Sequence, residues 1–229
     1  SLDVINDKSE AQILLDEQRR KNSKIILIPT MGNLHDGHLS LIELAREHAD
    51  YVVVSIFINP TQFTDNKDFD NYPRTLESDI EKLSLANVSL LFLPDCSCIY
   101  PYGIDHAAKV IIPEMSNDLC GKVRPGHFEG VTSIVLRLFN IIKPDFSIFG
   151  QKDFQQKLLI EWMTTDLSLG INIIGAPIIR EDNGLAMSSR NQHLSSTAKL
   201  TAAKLYETLI EASGSIRDRK IGFASIQRE

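Results

Sequence analysis

The chain has 229 residues, 43% of them hydrophobic, enough to build a full core in one large domain or in a medium domain with a smaller companion. A net charge of −6 argues against a nucleic-acid surface, and the lack of any run of about 18 apolar residues argues against a membrane span. Cys96, Cys98 and Cys120 are odd in number and lack zinc-site spacing, and the charged start Ser1–Lys8 is unlike a signal peptide, so reduced thiols in a cytoplasmic setting are expected.

Ala11–Leu15, set among charges, predicts a short opening helix ending near Asn22. The apolar run Lys24–Ile28 predicts the first strand. It enters Pro29-Thr-Met-Gly-Asn-Leu-His-Asp-Gly-His38, after which an amphipathic run predicts a helix over residues 37–48. A strand, a tight loop and a helix start in this order gather free N–H groups and about half a positive charge, which suits an anion. His35 and His38 share one side of the first turn, where both would donate to one phosphate chain. A metal pair, or two polar residues on a solvated turn, are the competing readings of the two histidines.

Tyr51–Ile58 is a β-branched run without alternation, as in a parallel strand buried on both faces, and it completes a βαβ unit. Asn59-Pro-Thr-Gln-Phe63 and a polar loop follow. Thr75, Ser78 and Asp79 mark a helix start, Leu76, Ile80 and Leu83 its apolar face, and Ser89–Pro94 the next strand. Prolines and glycines leave residues 95–126 mostly loop, with a short strand predicted over Lys109–Ile112 and a short helix over Glu114–Leu119. Lys122, Arg124 and His127 gather there, either as part of a site or as a solvated basic turn.

A long buried helix is predicted over residues 128–142, then a strand over Asp145–Gly150 and a helix over Phe154–Thr165. Gln151-Lys-Asp153 makes this a second strand-glycine-helix junction. Lys152 there is placed to reach a phosphate, and Asp153 to accept from a ribose hydroxyl or to cap the helix. Ile171–Gly175 is the last sheet strand. Past residue 177 the character changes: a turn over Ile178–Gly184, two hydroxyls and an arginine in Leu185–Arg190 suited to clasping phosphate, a helix from Ser195 to about residue 212, and a basic stretch Arg217–Lys220. The boundary divides the chain into residues 1–177 and 178–229.

Five segments taken together closely resemble the pantothenate synthetase (pantoate–β-alanine ligase) family. They are Pro29–His38; Asn59-Pro-Thr-Gln-Phe63 with Tyr72-Pro-Arg-Thr75; Arg124-Pro-Gly-His-Phe128; Gly150–Asp153 through Gln156; and Gly184–Asn191. They occur in order between about residue 24 and residue 194. In the wider nucleotidyltransferase superfamily the first resembles the HIGH-type motif, and Met187-Ser-Ser-Arg190 the KMSKS-type loop. The resemblance implies an α/β fold. A Rossmann-like doubly wound parallel sheet over 1–177 would bind nucleotide and pantoate. A smaller C-terminal α+β lid domain over 178–229 would be truncated against the family's usual length.

The implied reaction joins pantoate to β-alanine using ATP, through a pantoyl adenylate. By the same resemblance, His38, His35, Lys152 and Arg190 are catalytic. ATP would lie on Met31, Gly32, Asn33, Leu34, His35, Asp36, Gly37, His38, Gly150, Gln151, Lys152, Asp153, Ile179, Met187, Ser188, Ser189 and Arg190. His38 would carry the proton-donor role, a neighbouring triphosphate favouring its imidazolium form. Gln62 and Gln156 would address pantoate, with Met31 and Phe149 against its gem-dimethyl side. Gln62, Asn59, Tyr72 and Arg124 would serve β-alanine. Asp79 would stand near Mg²⁺, where Ser78 replaces a second carboxylate of some relatives. A homodimer is implied, with no nucleic-acid or membrane partner. The competing functions are a nucleotidyltransferase of the same fold acting on a phosphorylated small molecule, which would have no use for the two glutamines, and a nucleotide-binding module without catalysis. Metal-dependent hydrolysis through His35, His38 and His127 is disfavoured, because no carboxylate motif accompanies them.

Overall fold

The computed structural model describes residues 1–217, so the Asp218–Lys220 part of the basic stretch lies outside the described residues. The contacts divide the chain into two compact units, Ser1–Pro177 and Ile178–Glu229. The first opens with a short strand, β1 (Asp3–Ile5), and a helix, α1 (Lys8–Arg20), followed by β2 (Ile25–Thr30), α2 (Asp36–Arg46) and β3 (Tyr51–Ile56). Then come α3 (Asn66–Asp70), α4 (Leu76–Leu85), β4 (Leu90–Phe92), α5 (Cys96–Ile99), α6 (Cys120–Val123) and α7 (His127–Ile142). The unit closes with β5 (Phe146–Gly150), α8 (Phe154–Asp166) and β6 (Asn172–Ala176).

The six strands form one parallel sheet in the order β1-β4-β3-β2-β5-β6. From β2 the chain winds outward through β3 to β4, then returns to lay β5 on the other side of β2 and continues to β6. The winding therefore reverses between β2 and β5, where Ile26 pairs with Phe146 and Leu27 with Ser147. Successive residues of the inner strands face opposite sides, and both sides are covered, which is why β2 and β3 read as unbroken apolar runs. Ile25, Leu27 and Val53 pack with Leu15 of α1, Leu138 and Phe139 of α7, and Leu159 and Met163 of α8. Ile26, Ile28, Val52 and Val54 pack with Ile42 and Ala45 of α2 and Leu83 of α4.

Three local features depart from the sequence expectations. β1 was not foreseen: it is a three-residue edge strand, Asp-Val-Ile, with only Ile5 buried, paired to β4 alone. The strand expected over Lys109–Ile112 does not form. The backbone of Val110 is satisfied by α7 side chains instead, its N–H donating to Ser133 Oγ at 2.9 Å and its carbonyl accepting from Thr132 Oγ1 at 2.6 Å. In place of a helix over Glu114–Leu119 there is a single 3₁₀ turn, Met115–Asn117, before α6.

In the second unit, the described part folds back on itself around a turn. Arg180 and Ala186 form an antiparallel bridge, Met187 N–H donates to the Ile179 carbonyl at 3.0 Å, and Glu181 and Gly184 close the turn with a 2.8 Å hydrogen bond. The Arg180 guanidinium stacks over the Tyr206 ring, 3.6 Å from its centroid. A 3₁₀ segment, Ser189–His193, precedes the last described helix, α9 (Ser196–Arg217).

Candidate active site

The first polar junction stands at the C-terminal end of β2. His35 caps α2: its Nδ1 accepts the Gly37 N–H at 3.1 Å, while His38 Nδ1 accepts the N–H of His35 at 3.3 Å. The two rings lie 4.1 Å apart between centroids. With both Nδ1 atoms used as acceptors, each ring proton sits on Nε2, so the pair offers two N–H donors of one tautomer. Both rings are held neutral. Burial first, then the His35 ring and the charges of Lys152 and Lys82, hold His38 down to about 3. Burial, then Lys152 and Lys82, lower His35, with Asp36 opposing. The sequence expectation of an imidazolium His38 concerns a ring with triphosphate beside it; in the free protein, burial and the two lysines oppose protonation.

Helix α4 anchors the loop that presents these histidines. Asp79, 1% exposed, accepts the N–H groups of Asn33 and Leu34 at 2.8 Å each, and Thr75 Oγ1 lies 3.2 Å from its Oδ2. The loop needs this anchor because Gly32 and Asn33 both adopt left-handed backbone, at φ +80° and +49°. A Cβ on Gly32 would also press to 3.1 Å from the Asp79 carboxylate and from Ile56. Asp79, expected beside Mg²⁺, has both oxygens hydrogen-bonded within the protein, Oδ1 to Leu34 N–H and Oδ2 to Asn33 N–H and the Thr75 hydroxyl. Among the described residues no three His, Cys, Asp or Glu side chains are grouped to hold a metal ion.

The second junction stands at the end of β5, next to β2 in the sheet. Gly150 passes into the 3₁₀ turn Gln151–Asp153, and the Lys152 charge acts on both histidines. Lys152 Nζ is 3.6 Å from the Asp153 carboxylate. Asp153 occupies the N-cap position of α8 without making a side-chain cap bond. Gln156 lies half-buried on the first turn of α8, and Phe149 is buried at the end of β5. Gln155, which carries no motif signal in the sequence, ties the Met115–Cys120 loop to α8 through Met115 O, Asp118 O and Cys120 N–H.

A third group follows β3. Gln62 Nε2 donates to Met31 Sδ at 3.2 Å, and Asn59 Nδ2 donates to Gln62 Oε1 at 3.2 Å. Asn59 Oδ1 in turn accepts from the Tyr100 hydroxyl at 2.7 Å. The Gln62 carbonyl accepts His127 Nδ1–H at 2.7 Å, leaving Nε2 to face Arg124 at 3.3 Å. Gly130 lets α7 approach this segment so closely that a Cβ there would come within 2.4 Å of the Thr61 carbonyl oxygen. Met31, Asn59, Gln62, Arg124 and His127 are thus one connected set. Tyr72 is buried edge-on to Phe63, 5.7 Å between centroids. His127 serves Gln62 and Arg124, a role its position in the sequence did not reveal.

Within the second unit, Ile179 and Met187 are the hydrogen-bonded pair of the turn, and Ser188 caps the 3₁₀ segment by accepting the Arg190 N–H at 3.3 Å. Ser189 is half-buried and Arg190 exposed.

An all-parallel sheet that reverses its winding beside two such loop ends defines an α/β protein of the kind that takes its ligand beyond the carboxyl ends of the strands. Comparison with known proteins narrows this class. The family model for Pantoate-beta-alanine ligase matches residues 3–228. The chain is 49% identical over 226 residues to the pantothenate synthetase of Hahella chejuensis, covering 99% of itself and 80% of that relative. It is 51% identical over 208 residues to that of Vibrio vulnificus strain YJ016, covering 91% and 69%. Among solved structures, a Thermus thermophilus pantothenate synthetase superposes with a TM-score of 0.91 at 37% identity, over 99% of this chain and 79% of that one. The pantoate–β-alanine ligase of Francisella tularensis, complexed with β-γ ATP and β-alanine, superposes at 0.85 with 40% identity, over 90% and 78%. The chain belongs to the pantoate–β-alanine ligase family, and the enzyme class is that of a ligase.

Proposed function

We propose that this chain joins pantoate to β-alanine at the expense of ATP through a pantoyl adenylate. A pantoate carboxylate oxygen attacks the α-phosphorus, the bond to the β-phosphate breaks, and pyrophosphate leaves. The β-alanine amine then attacks the acyl carbon, loses a proton, and displaces AMP. Both steps redistribute negative charge, so positioned donors carry the catalysis. The observation that carries this reading is the meeting, at the sheet's reversal, of two neutral Nε2–H donors and the Lys152 ammonium.

In this reading His35 and His38 donate to the phosphate oxygens, and Lys152 offsets the charge that grows on the α-phosphate. The backbone from Met31 to Gly37, with Gly150, Gln151, Asp153 and Ile179, holds the nucleotide. Gln62 and Gln156 address the hydroxyls and carboxylate of pantoate, Met31 and Phe149 its methyl groups, and Asn59, Tyr72 and Arg124 the β-alanine. Met187, Ser188, Ser189 and Arg190 take the part of further phosphate ligands, on the strength of their family-like run alone. Magnesium accompanying ATP is held mainly by phosphate oxygens and water. With Asp79 committed to the loop, no step is assigned to a protein-held metal. A cytoplasmic homodimer belongs to the same proposal through the resemblance.

The test is pyrophosphate release from ATP and Mg²⁺ with pantoate, run with and without β-alanine, and mass detection of the product. Release that requires pantoate and turns over with β-alanine to give pantothenate is expected. Release that ignores pantoate would overturn the proposal.

A further inference from the structure

Helix α4 grips the histidine loop twice. Asp79 holds the N–H of Leu34, and Lys82, three residues on and so on the same helix side, donates its ammonium to the Leu34 carbonyl at 2.6 Å. One helix thereby fixes both peptide groups of Leu34. The next residue is His35, whose own N–H is taken by His38. Any slip of the Leu34 carbonyl therefore turns the cap and both rings together. Lys82 is half-buried, and its charge reaches both imidazoles.

We infer that Lys82 is a positioning residue of this enzyme, holding Leu34 so that the Nε2–H groups of His35 and His38 stand ready for the polyphosphate. Its second effect is electrostatic. Among the described residues, three charged side chains act on the pair: Lys82 from α4, Lys152 from the turn after β5 and Asp36 from α2, the last opposing the two lysines at His35. Lys82 and Lys152 oppose protonation of the imidazoles, so each ring keeps Nδ1 as an acceptor and the cap stays formed. A protonated ring would place a donor where a backbone N–H already points.

The kinetic part of this inference rests on the ATP-dependent reading above; the titration part does not. In the full chain, Lys82→Gln keeps a donor and removes the charge, Lys82→Met removes both, and Lys82→Arg restores the charge. Nitrogen-edited NMR titration of the His35 and His38 rings in the free protein is the first readout. The kcat, KM for ATP and pH profile of pantoate-dependent pyrophosphate release are the second. In Lys82→Gln and Lys82→Met both rings are expected to titrate at higher pH than in the parent. In Lys82→Met kcat falls about tenfold, and the acid limb of the profile moves up with the rings. Lys82→Arg returns both toward the parent. Unmoved ring titrations, or an unchanged kcat in Lys82→Met, would overturn the assignment, as would a lowered kcat with an unmoved acid limb. If Lys82→Met fails to fold, Lys82→Gln against Lys82→Arg decides. If the parent itself releases no pyrophosphate, the reaction assignment fails, and the titration still decides whether Lys82 acts on the histidines.

Discussion

Replacing Asp79 by alanine tests whether this carboxylate is a loop anchor. The substitution strands the N–H groups of Asn33 and Leu34, each now 2.8 Å from a carboxylate oxygen in a position only 1% exposed. Backbone donors cannot rotate to find other partners, and each buried donor left unsatisfied costs about 1–3 kcal/mol. Water entering the vacated space recovers part of that, so a loss of about 3 kcal/mol is expected. With a urea m-value of roughly 1–3 kcal/mol/M, the midpoint falls by about 1 M or more. Asp79→Asn retains one acceptor oxygen and turns an amide donor toward the other N–H, so it should fall between parent and alanine. Far-UV circular dichroism in urea measures both, and a magnesium titration of pyrophosphate release runs alongside. An unchanged midpoint in Asp79→Ala, coupled to a raised magnesium requirement, would refute the anchor and return Asp79 to the metal.

His38→Ala and Lys152→Ala are each expected to lower adenylate formation by about two orders of magnitude or more with the circular dichroism spectrum unchanged; near-parent turnover in both would remove the phosphate site. Gln62→Ala should raise KM for pantoate more than KM for ATP, which initial-rate kinetics resolves. Gly130→Ala drives a methyl to 2.4 Å from the Thr61 carbonyl oxygen, and thermal unfolding should report a loss of roughly 1–3 kcal/mol. His38 titrates near 3 in the folded chain against an ordinary 6.5, so the unfolded state binds more protons between those values. Stability is accordingly full above about pH 7 and declines as pH falls toward 3. A shallower decline in His38→Gln, followed by urea midpoints, checks the sign.

The inner strands and the two junctions were legible because their signals are local. β2 and β3 are continuous apolar runs, and the loops after β2 and β5 carry glycine beside histidine or lysine. β1 escaped because three residues cannot display a period, and the Lys109–Ile112 segment misled because its β-branched residues carry strand propensity whether or not a partner strand is at hand, though only Ile112 of the segment is buried. The hydrogen-bond partners of Asp79, Lys82 and His127 were not legible. Each acts on backbone far away in sequence: Asp79 reaches 46 residues back to Asn33, Lys82 48 back to Leu34, and His127 65 back to Gln62. Spacing along one helix suggests that two side chains share a face, but it does not say which distant peptide that face meets.

The sheet order also sets a timetable for assembling the site. Strands β2, β3 and β4, with the helices between them, can pair as the chain emerges, and they already contain His35, His38 and their α4 anchors. Lys152 arrives only when β5 inserts beside β2, a pairing between residues about 120 positions apart, as Ser147 and Leu27 are. Contacts of that separation pay a large loop-closure cost and form late. A nascent chain that ends before β5 has the histidines and Lys82 but lacks Lys152, so the phosphate site proposed above is complete only once β5 has joined β2, with β6 still to be added.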